Sequence, residues 1–361
     1  MIAARACVVC VPARNEAERL PILIGSLARQ EEACADARLR VVVLANNCTD
    51  GTVAAAELAA DAAATLDVRV IEAELAGTDA HVGTARRMAL EAGAAWLDAD
   101  AAHDGVLLTT DADARLPSSW LAANLRALER ADVVGGRLVI DAETAHSAPD
   151  PRLAELHKRI ERYWAGVRGL EDLVDPPAHD PAPRHGDHTG ASLAFPVALY
   201  RAVGGLPPLP CGEDNALVGL MREGGARLRH CPDVQVMVSA RHQGRVAGGM
   251  ATEMVRRDRV LTGEAYRLPE AAHWRDLLLR RASLKRAFHL EPAARAAACQ
   301  HLGLDAGDLA AIVGAGCPND IAFVERADRL LGSRDPPARE SDLDTALADL
   351  AALARATRAA A

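Results

Sequence analysis

No apolar run in this 361-residue chain approaches the roughly 18 residues that a membrane-crossing helix needs. Basic runs are also missing, and the formal net charge is -9, so a general nucleic-acid partner is excluded. An anionic ligand held by local arginines and a metal is not. Aromatic residues make up only 3% of an Ala-rich composition that is otherwise that of an ordinary soluble globular protein. The eight cysteines are poor in pattern. Only Cys7 and Cys10 form a C-x-x-C, and no second pair completes a zinc set. They lie in a strand-like run, where residues i and i+3 point to opposite faces, so both are read as buried thiols. The scatter of the others suits a reducing cytoplasm. Met1-Ile2-Ala3-Ala4-Arg5 has no signal-peptide anatomy, which adds to the expectation of a cytoplasmic chain. Internal repeats at solenoid periods are absent too.

What the chain does have is alternation. Apolar strand candidates at 6–11, 41–45, 68–71, 106–110 and 133–140 are separated by helical segments, which predicts a parallel sheet covered on both faces. Leu20, Leu23, Ile24 and Leu27 form one apolar stripe on the first helix, which Asn15 or a neighbour can cap. The pattern breaks between 143 and 187. An amphipathic segment over 152–167 is followed by the Pro-rich 175–183, a helix plus a long loop of the kind that serves as a lid or binding loop. Strand signals return at 191–195 and 234–239, around a helix over 215–224. Beyond 250 the chain reads as helical to its end.

Chemistry concentrates where strands end. Asp111-Ala112-Asp113 follows the apolar run 106–110 and places two carboxylates on one side of the backbone, at the sheet edge where open α/β folds bind ligands. Two hard oxygen donors suit Mg²⁺ or Mn²⁺; the alternative is a solvated acidic turn. Pro12-Ala13-Arg14-Asn15-Glu16 turns from strand to helix, where backbone amides and Arg14 can meet a nucleotide. Asn46 and Asp50, in Asn46-Asn47-Cys48-Thr49-Asp50-Gly51-Thr52, can read a base or ribose, or simply build Asx turns and a cap. Gly83-Thr84-Ala85-Arg86-Arg87 opens a helix with guanidinium forks suited to a diphosphate. In Gly212-Glu213-Asp214, a carboxylate at a helix start is either a cap or a general base.

Taken in order, these clusters resemble the family 2 glycosyltransferases of GT-A fold. So do Gly190-Ala191-Ser192-Leu193-Ala194 with Val203-Gly204-Gly205, and Ser239-Ala240-Arg241-His242-Gln243-Gly244-Arg245 before Gly248-Gly249. The resemblance covers about residues 6 to 250. It implies an α/β GT-A domain over 1–250, with a mostly parallel, doubly covered sheet, and a helical C-terminal extension over 251–361. It further implies a UDP- or GDP-sugar donor, an unidentified hydroxyl acceptor, and Mn²⁺ or Mg²⁺. Asp113 is then the direct metal ligand, Asp111 a ribose or metal contact, and His242 either a further ligand or a strand-end histidine without that role. Pro12, Ala13, Arg14, Glu16, Asn46, Asp50, Gly83 and Arg86 line the donor. Asp214 is the base, with Glu213 as the fallback, and transfer proceeds with inversion at the anomeric carbon. Where many relatives carry an acidic pair, this chain has Ala45 and Asn46, so the base of the nucleotide stays open. A sugar nucleotidyltransferase is the alternative enzyme, although no Gly-rich phosphate loop follows the first strand; a non-catalytic nucleotide-sugar-binding module is the other.

Two further clusters need a reading. His179, Asp180, His185, Asp187 and His188 are either a second metal site or a solvated, acceptor-facing loop. Leu277-Leu278-Leu279-Arg280-Arg281, with Lys285 and Arg286, is either a peripheral membrane contact or a packing helix.

Overall fold

The structure is a computed structural model that describes residues 5–31, 38–141, 150–239, 250–314 and 316–360. It divides into two compact units. The first comprises Met1–His146, Ala182–Met221 and Arg227–Ala251, and the second Ser147–Pro181, Arg222–Ala226 and Thr252–Ala361.

In the first unit, strands β1 (Cys7–Ala13), β2 (Leu39–Asn46), β3 (Leu66–Ala73), β4 (Val106–Thr109), β5 (Val133–Ile140), β6 (Leu193–Pro196) and β7 (Leu228–Val238) form one sheet. Its order is β3-β2-β1-β4-β6-β5-β7. All pairings are parallel except those of β6, which runs antiparallel to both β4 and β5. Helices α1 (Leu20–Leu27), α2 (Thr52–Asp61), α3 (Val82–Ala99) and α4 (Trp120–Leu128) complete the alternation. Every residue of β1 is buried, as expected of a strand covered on both faces. Cys7, Val9, Val11 and Ala13 share a core with the α1 stripe and with Trp120 and Leu121. Val8 and Cys10 face α3 instead, so the two thiols do lie on opposite faces. Asn15 does not cap α1. The cap position is Arg19, with no side-chain hydrogen bond, and Pro21 in the first turn removes an N–H that would otherwise need a partner.

Gly93 is what lets α3 lie this close to the sheet. A Cβ there would stand 2.6 Å from Cys10 Sγ, 3.1 Å from Leu107 Cδ2 and 3.2 Å from Val8 Cγ1. Overpacking of this kind costs about 1–3 kcal/mol, more than the ~1 kcal/mol a helix gains from Gly→Ala. Gly93→Ala is expected to lower the urea midpoint, and Cys10→Ala in the same chain to restore most of it. Additive losses in the double variant would contradict the packing argument.

The second unit is helical, with α5 (Pro151–Val174), and it carries one small antiparallel ribbon of β8 (Arg267–Pro269) and β9 (Glu340–Asp342). Helix α6 (Val197–Ala202) and the start of α7 (Glu213–Glu223) belong to the first unit. Leu156, Ile160, Tyr163, Val167 and Leu170 form the apolar stripe of α5 and pack with Tyr266, Leu278, Leu343, Ala346 and Leu350. The elements beyond α8 (Met250–Leu261) are α9 (Ala271–Phe288), α10 (Pro292–His301), α11 (Ala306–Val313), α12 (Asp320–Gly332) and α13 (Leu343–Ala360). On α9, Arg280 and Arg281 pair with Asp328, Arg281 also with Glu325, and Lys285 with Asp175. Those three cations have protein counter-charges, and Leu278, Ala282, Leu284 and Ala287 of the same helix are buried, as in a packing helix. No helix among the described residues is long and apolar enough to cross a membrane.

Candidate active site

Strands β2 and β3 step away from β1 on one side, while β4 lies on its other side. The crevice at the carboxyl ends of β1 and β4 is therefore the switch point of the sheet. The loops that follow these strands carry the predicted clusters.

The β1 and β2 loops are knitted to each other. Asn15 and Asn47 both adopt left-handed backbone, φ 53° and 49°, a conformation asparagine tolerates better than most residues. Asn15 Oδ1 accepts the Thr49 N–H at 2.8 Å, and the Asn15 N–H donates to Cys48 Sγ at 3.5 Å. The Glu16 N–H donates to Thr52 Oγ1 at 2.7 Å. Asp50 accepts from the Ala17 and Thr52 N–H groups, at 3.2 and 3.0 Å, and from the Thr52 hydroxyl. Burial acts to raise the Asp50 pKa, but these donors outweigh it and hold the carboxylate below its ordinary value. The residue expected to read a base or ribose thus serves as the clasp between two loops. Pro12 and Ala13 end β1 fully buried, Arg14 is exposed, and Glu16 is buried. Asn46 is buried at the end of β2, and its amide donates to Asn47 Oδ1 at 3.4 Å. Asn47 is fixed in turn by the backbone of Leu75, which accepts from Nδ2 at 2.9 Å and donates to Oδ1 at 3.2 Å.

Asp111 and Asp113 sit just past β4, both partly exposed, with Ala112 and Ala114 turned into the core between and beyond them. The i, i+2 spacing does place both carboxylates away from the interior. Behind them Arg115 anchors the turn. Its Nε and Nη2 donate to the two oxygens of buried Asp141 at 3.0 and 2.7 Å, and its backbone exchanges hydrogen bonds with Met237 at 2.9 and 3.0 Å. This clamp was not anticipated. The pair is 26 residues apart, and the sequence holds no local trace of it.

Arg86 departs furthest from expectation. Rather than projecting toward a diphosphate, it is 4% exposed and faces protein. Its Nη2 donates to Asp111 Oδ1 at 2.7 Å and its Nε to Glu213 Oε1 at 3.0 Å. Nη1 donates to Thr109 Oγ1 at 2.8 Å and to the Gly190 carbonyl at 2.9 Å. Burial alone would pull the guanidinium pKa down, but Asp111 and Glu213 more than reverse this and raise it, so the group stays charged. Gly83 is likewise committed to packing, since a Cβ there would stand 2.0 Å from the Leu209 carbonyl oxygen.

The acidic pair splits into two environments. Glu213 is buried against Arg86. Asp214 is partly exposed, accepting the Gly190 N–H at 2.7 Å on Oδ2 and the Asn215 N–H at 2.8 Å on Oδ1. Each carboxylate oxygen has lone-pair capacity beyond one such bond, so Asp214 can still accept a proton.

The histidine-rich stretch is divided between the units. His179 and Asp180 lie in the second, where burial, and next the charge of Arg222, push the His179 pKa down. His185, Asp187 and His188 lie in the first and meet His230 of β7. His188 Nδ1 is 3.0 Å from His230 Nε2, and His185 Nδ1 accepts the Asp187 N–H at 3.0 Å. These rings are tied into the protein rather than solvated. Among the described residues no group of three or more His, Cys, Asp or Glu is arranged to hold a metal. His242 lies outside the described residues.

The family described as Glycosyl transferase family 2 matches residues 8–170. Similar solved structures include a mannosyltransferase from Pyrobaculum calidifontis in complex with GDP-Man and Mn²⁺ (20% identity, TM-score 0.48, covering 92% of this chain and 89% of that one). They also include S. aureus TarS in complex with UDP-GlcNAc (15%, TM-score 0.46, 91% and 92%) and M. tuberculosis glucosyl-3-phosphoglycerate synthase (15%, TM-score 0.37, 74% and 85%). Among curated protein sequences, nothing matches. The match takes in the β1, β2, α3 and β4 clusters, and the acidic pair at 213–214 lies beyond it. Over residues 8–170 this chain is therefore similar to the family 2 glycosyltransferases.

Proposed function

We propose that this enzyme moves a sugar from a UDP- or GDP-sugar to an acceptor hydroxyl in one displacement, with inversion, and that it depends on Mn²⁺ or Mg²⁺. The observation that carries the reading is the convergence of Asp111 and Asp214 on either side of Arg86 and Gly190, from segments about a hundred residues apart. A donor-side and an acceptor-side carboxylate thereby share one crevice.

The donor set fits a hard divalent cation. Mg²⁺ and its analogues use one or two carboxylates and complete their shell with water and substrate phosphates, so a cluster of three protein ligands is not required. Asp113 would hold the ion directly. Asp111, with Oδ1 on Arg86 and its side chain 38% exposed, has its second oxygen for the ion or a ribose hydroxyl. The bound ion supplies charge compensation for the departing diphosphate. Asp214 takes the proton from the acceptor hydroxyl as the oxygen bonds to the anomeric carbon. The bond from that carbon to the diphosphate oxygen breaks, and the nucleoside diphosphate leaves with the electron pair. Attack opposite the leaving group inverts the centre. Glu213, buried on Arg86, is the weaker candidate for this role.

A thermal-shift screen of nucleotide sugars, with and without Mn²⁺, tests the reading. A donor at about 100 times its Kd adds about 2.7 kcal/mol to the native state, which moves Tm by roughly 5–10 °C in a domain of this size. The shift is expected for UDP- or GDP-sugars and to be larger with Mn²⁺. Pyrophosphate release from a nucleoside triphosphate and a sugar phosphate, with no response to nucleotide sugars, would replace this reading with sugar-nucleotide synthesis.

A further inference from the structure

We propose that Arg86 is a positioning residue that holds the donor-side carboxylate and the acceptor-side base in one geometry, and that it is not a ligand of the donor's diphosphate. The inference rests on the glycosyl-transfer reading above. A guanidinium carries five N–H donors, and a phosphate clamp uses two of them side by side. Arg86 already directs four to protein: one each to Glu213, Thr109, the Gly190 carbonyl and Asp111. No paired fork is left for a diphosphate.

What those bonds join is more informative than their number. Thr109 and Asp111 belong to the end of β4 and the donor-side turn, Gly190 to the approach to β6, and Glu213 to the first residue of α7. From Asp111 the path runs through Arg86 to the Gly190 carbonyl, and from the Gly190 N–H to Asp214 Oδ2. Gly190 is the seat of the guanidinium. A Cβ at that position would stand 2.4 Å from Arg86 Cζ, 2.6 Å from Nη2 and 2.7 Å from Nε. The backbone that presents its N–H to the base therefore lies directly against the cation that holds the donor-side carboxylate. One buried positive charge also sets the spacing of three carboxylates, Asp111, Glu213 and Asp214, which would otherwise repel one another and the incoming diphosphate.

The test uses the full chain with the donor found by the thermal-shift screen, and compares wild type, Arg86→Lys and Gly190→Ala. Lysine keeps the charge and offers one nitrogen in place of the fork. The Gly190 variant keeps Arg86 but displaces it from its seat, and so reads the same contact if Arg86→Lys does not fold. A misplacement of about 1 Å lowers turnover by about 100-fold, so both variants are expected to lose kcat on that scale. The donor KM, and the ratio of affinities for nucleoside diphosphate over monophosphate, should stay within about twofold, because binding common to ground and transition states is untouched. A drop in that ratio of tenfold or more would make Arg86 a phosphate ligand and overturn the proposal. So would wild-type kcat in a folded Arg86→Lys. Absence of transfer by wild type fails the glycosyl-transfer reading instead, which keeps the two failures apart.

Discussion

Asp214→Asn is expected to lower kcat by about 10²- to 10⁴-fold, the range a positioned general base contributes, while donor binding stays close to wild type. Both Asp214 oxygens accept a backbone N–H, from Gly190 and Asn215. An asparagine can satisfy one of these with its oxygen and must turn its NH₂ toward the other, so some stability is lost as well. The cost of an unmade hydrogen bond at a partly exposed site is about 1 kcal/mol, too little to unfold the domain and far less than the expected loss of turnover. The two effects separate on measurement: Tm and donor affinity report the first, single-turnover transfer the second. Retention of more than a tenth of wild-type kcat would remove Asp214 as the base. Glu213 would not inherit the role easily, because its carboxylate is 6% exposed and paired with Arg86. Glu213→Gln is then the contrast, acting through the placement of Arg86 rather than through proton transfer.

Features that depend on neighbours in sequence were legible before any coordinates, and features that depend on distant partners were not. All seven strands of the sheet were visible as apolar runs: β1, β2 and β4 because strands buried on both faces are apolar nearly throughout, and β3 through its alternation of apolar and polar residues. Helix α4 fills the gap between the strand candidates at 106–110 and 133–140, where the alternation called for a helix. The reversed direction of β6 leaves no mark in the sequence, since alternation fixes that a strand exists and not which way it runs. Strand β7 starts six residues earlier than its apolar core suggested, because Pro232, Asp233 and Val234 form an irregularity opposite Gly136 and Arg137. At the site, the strand-end position of Asp111-Ala112-Asp113 and the helix-start position of Glu213-Asp214 followed from local pattern. The task of Arg86 did not, because its partners stand 23, 25, 104 and 127 residues away. A guanidinium at a helix start reads the same from sequence whether it meets phosphate or two carboxylates, and only the fold decides.

That distinction sharpens what Asp113→Ala should do. Asp111 has one oxygen on Arg86, so its removal would disturb the positioning network as well as the cation. Asp113 lies two residues further along the same turn, partly exposed, on a segment anchored independently by the Arg115–Asp141 fork and the Met237 backbone. Asp113→Ala is therefore expected to keep the fold, with Tm in the absence of ligand close to wild type. Transfer should nonetheless fall by about 10³-fold or more, the scale of losing electrostatic stabilisation of a leaving diphosphate. The additional thermal shift that Mn²⁺ gives to a bound donor should vanish, while the smaller shift from the nucleotide alone persists. Asp111→Asn should behave differently. The amide oxygen can still accept from Arg86, so part of the Mn²⁺ response is retained through Asp113, and the loss of turnover is smaller than for Asp113→Ala. Equal loss in the two variants would place the ion on both carboxylates. Full transfer by Asp113→Ala in the presence of a chelator would show that the turn binds the donor through its hydroxyls and that the reaction proceeds without a cation at this position.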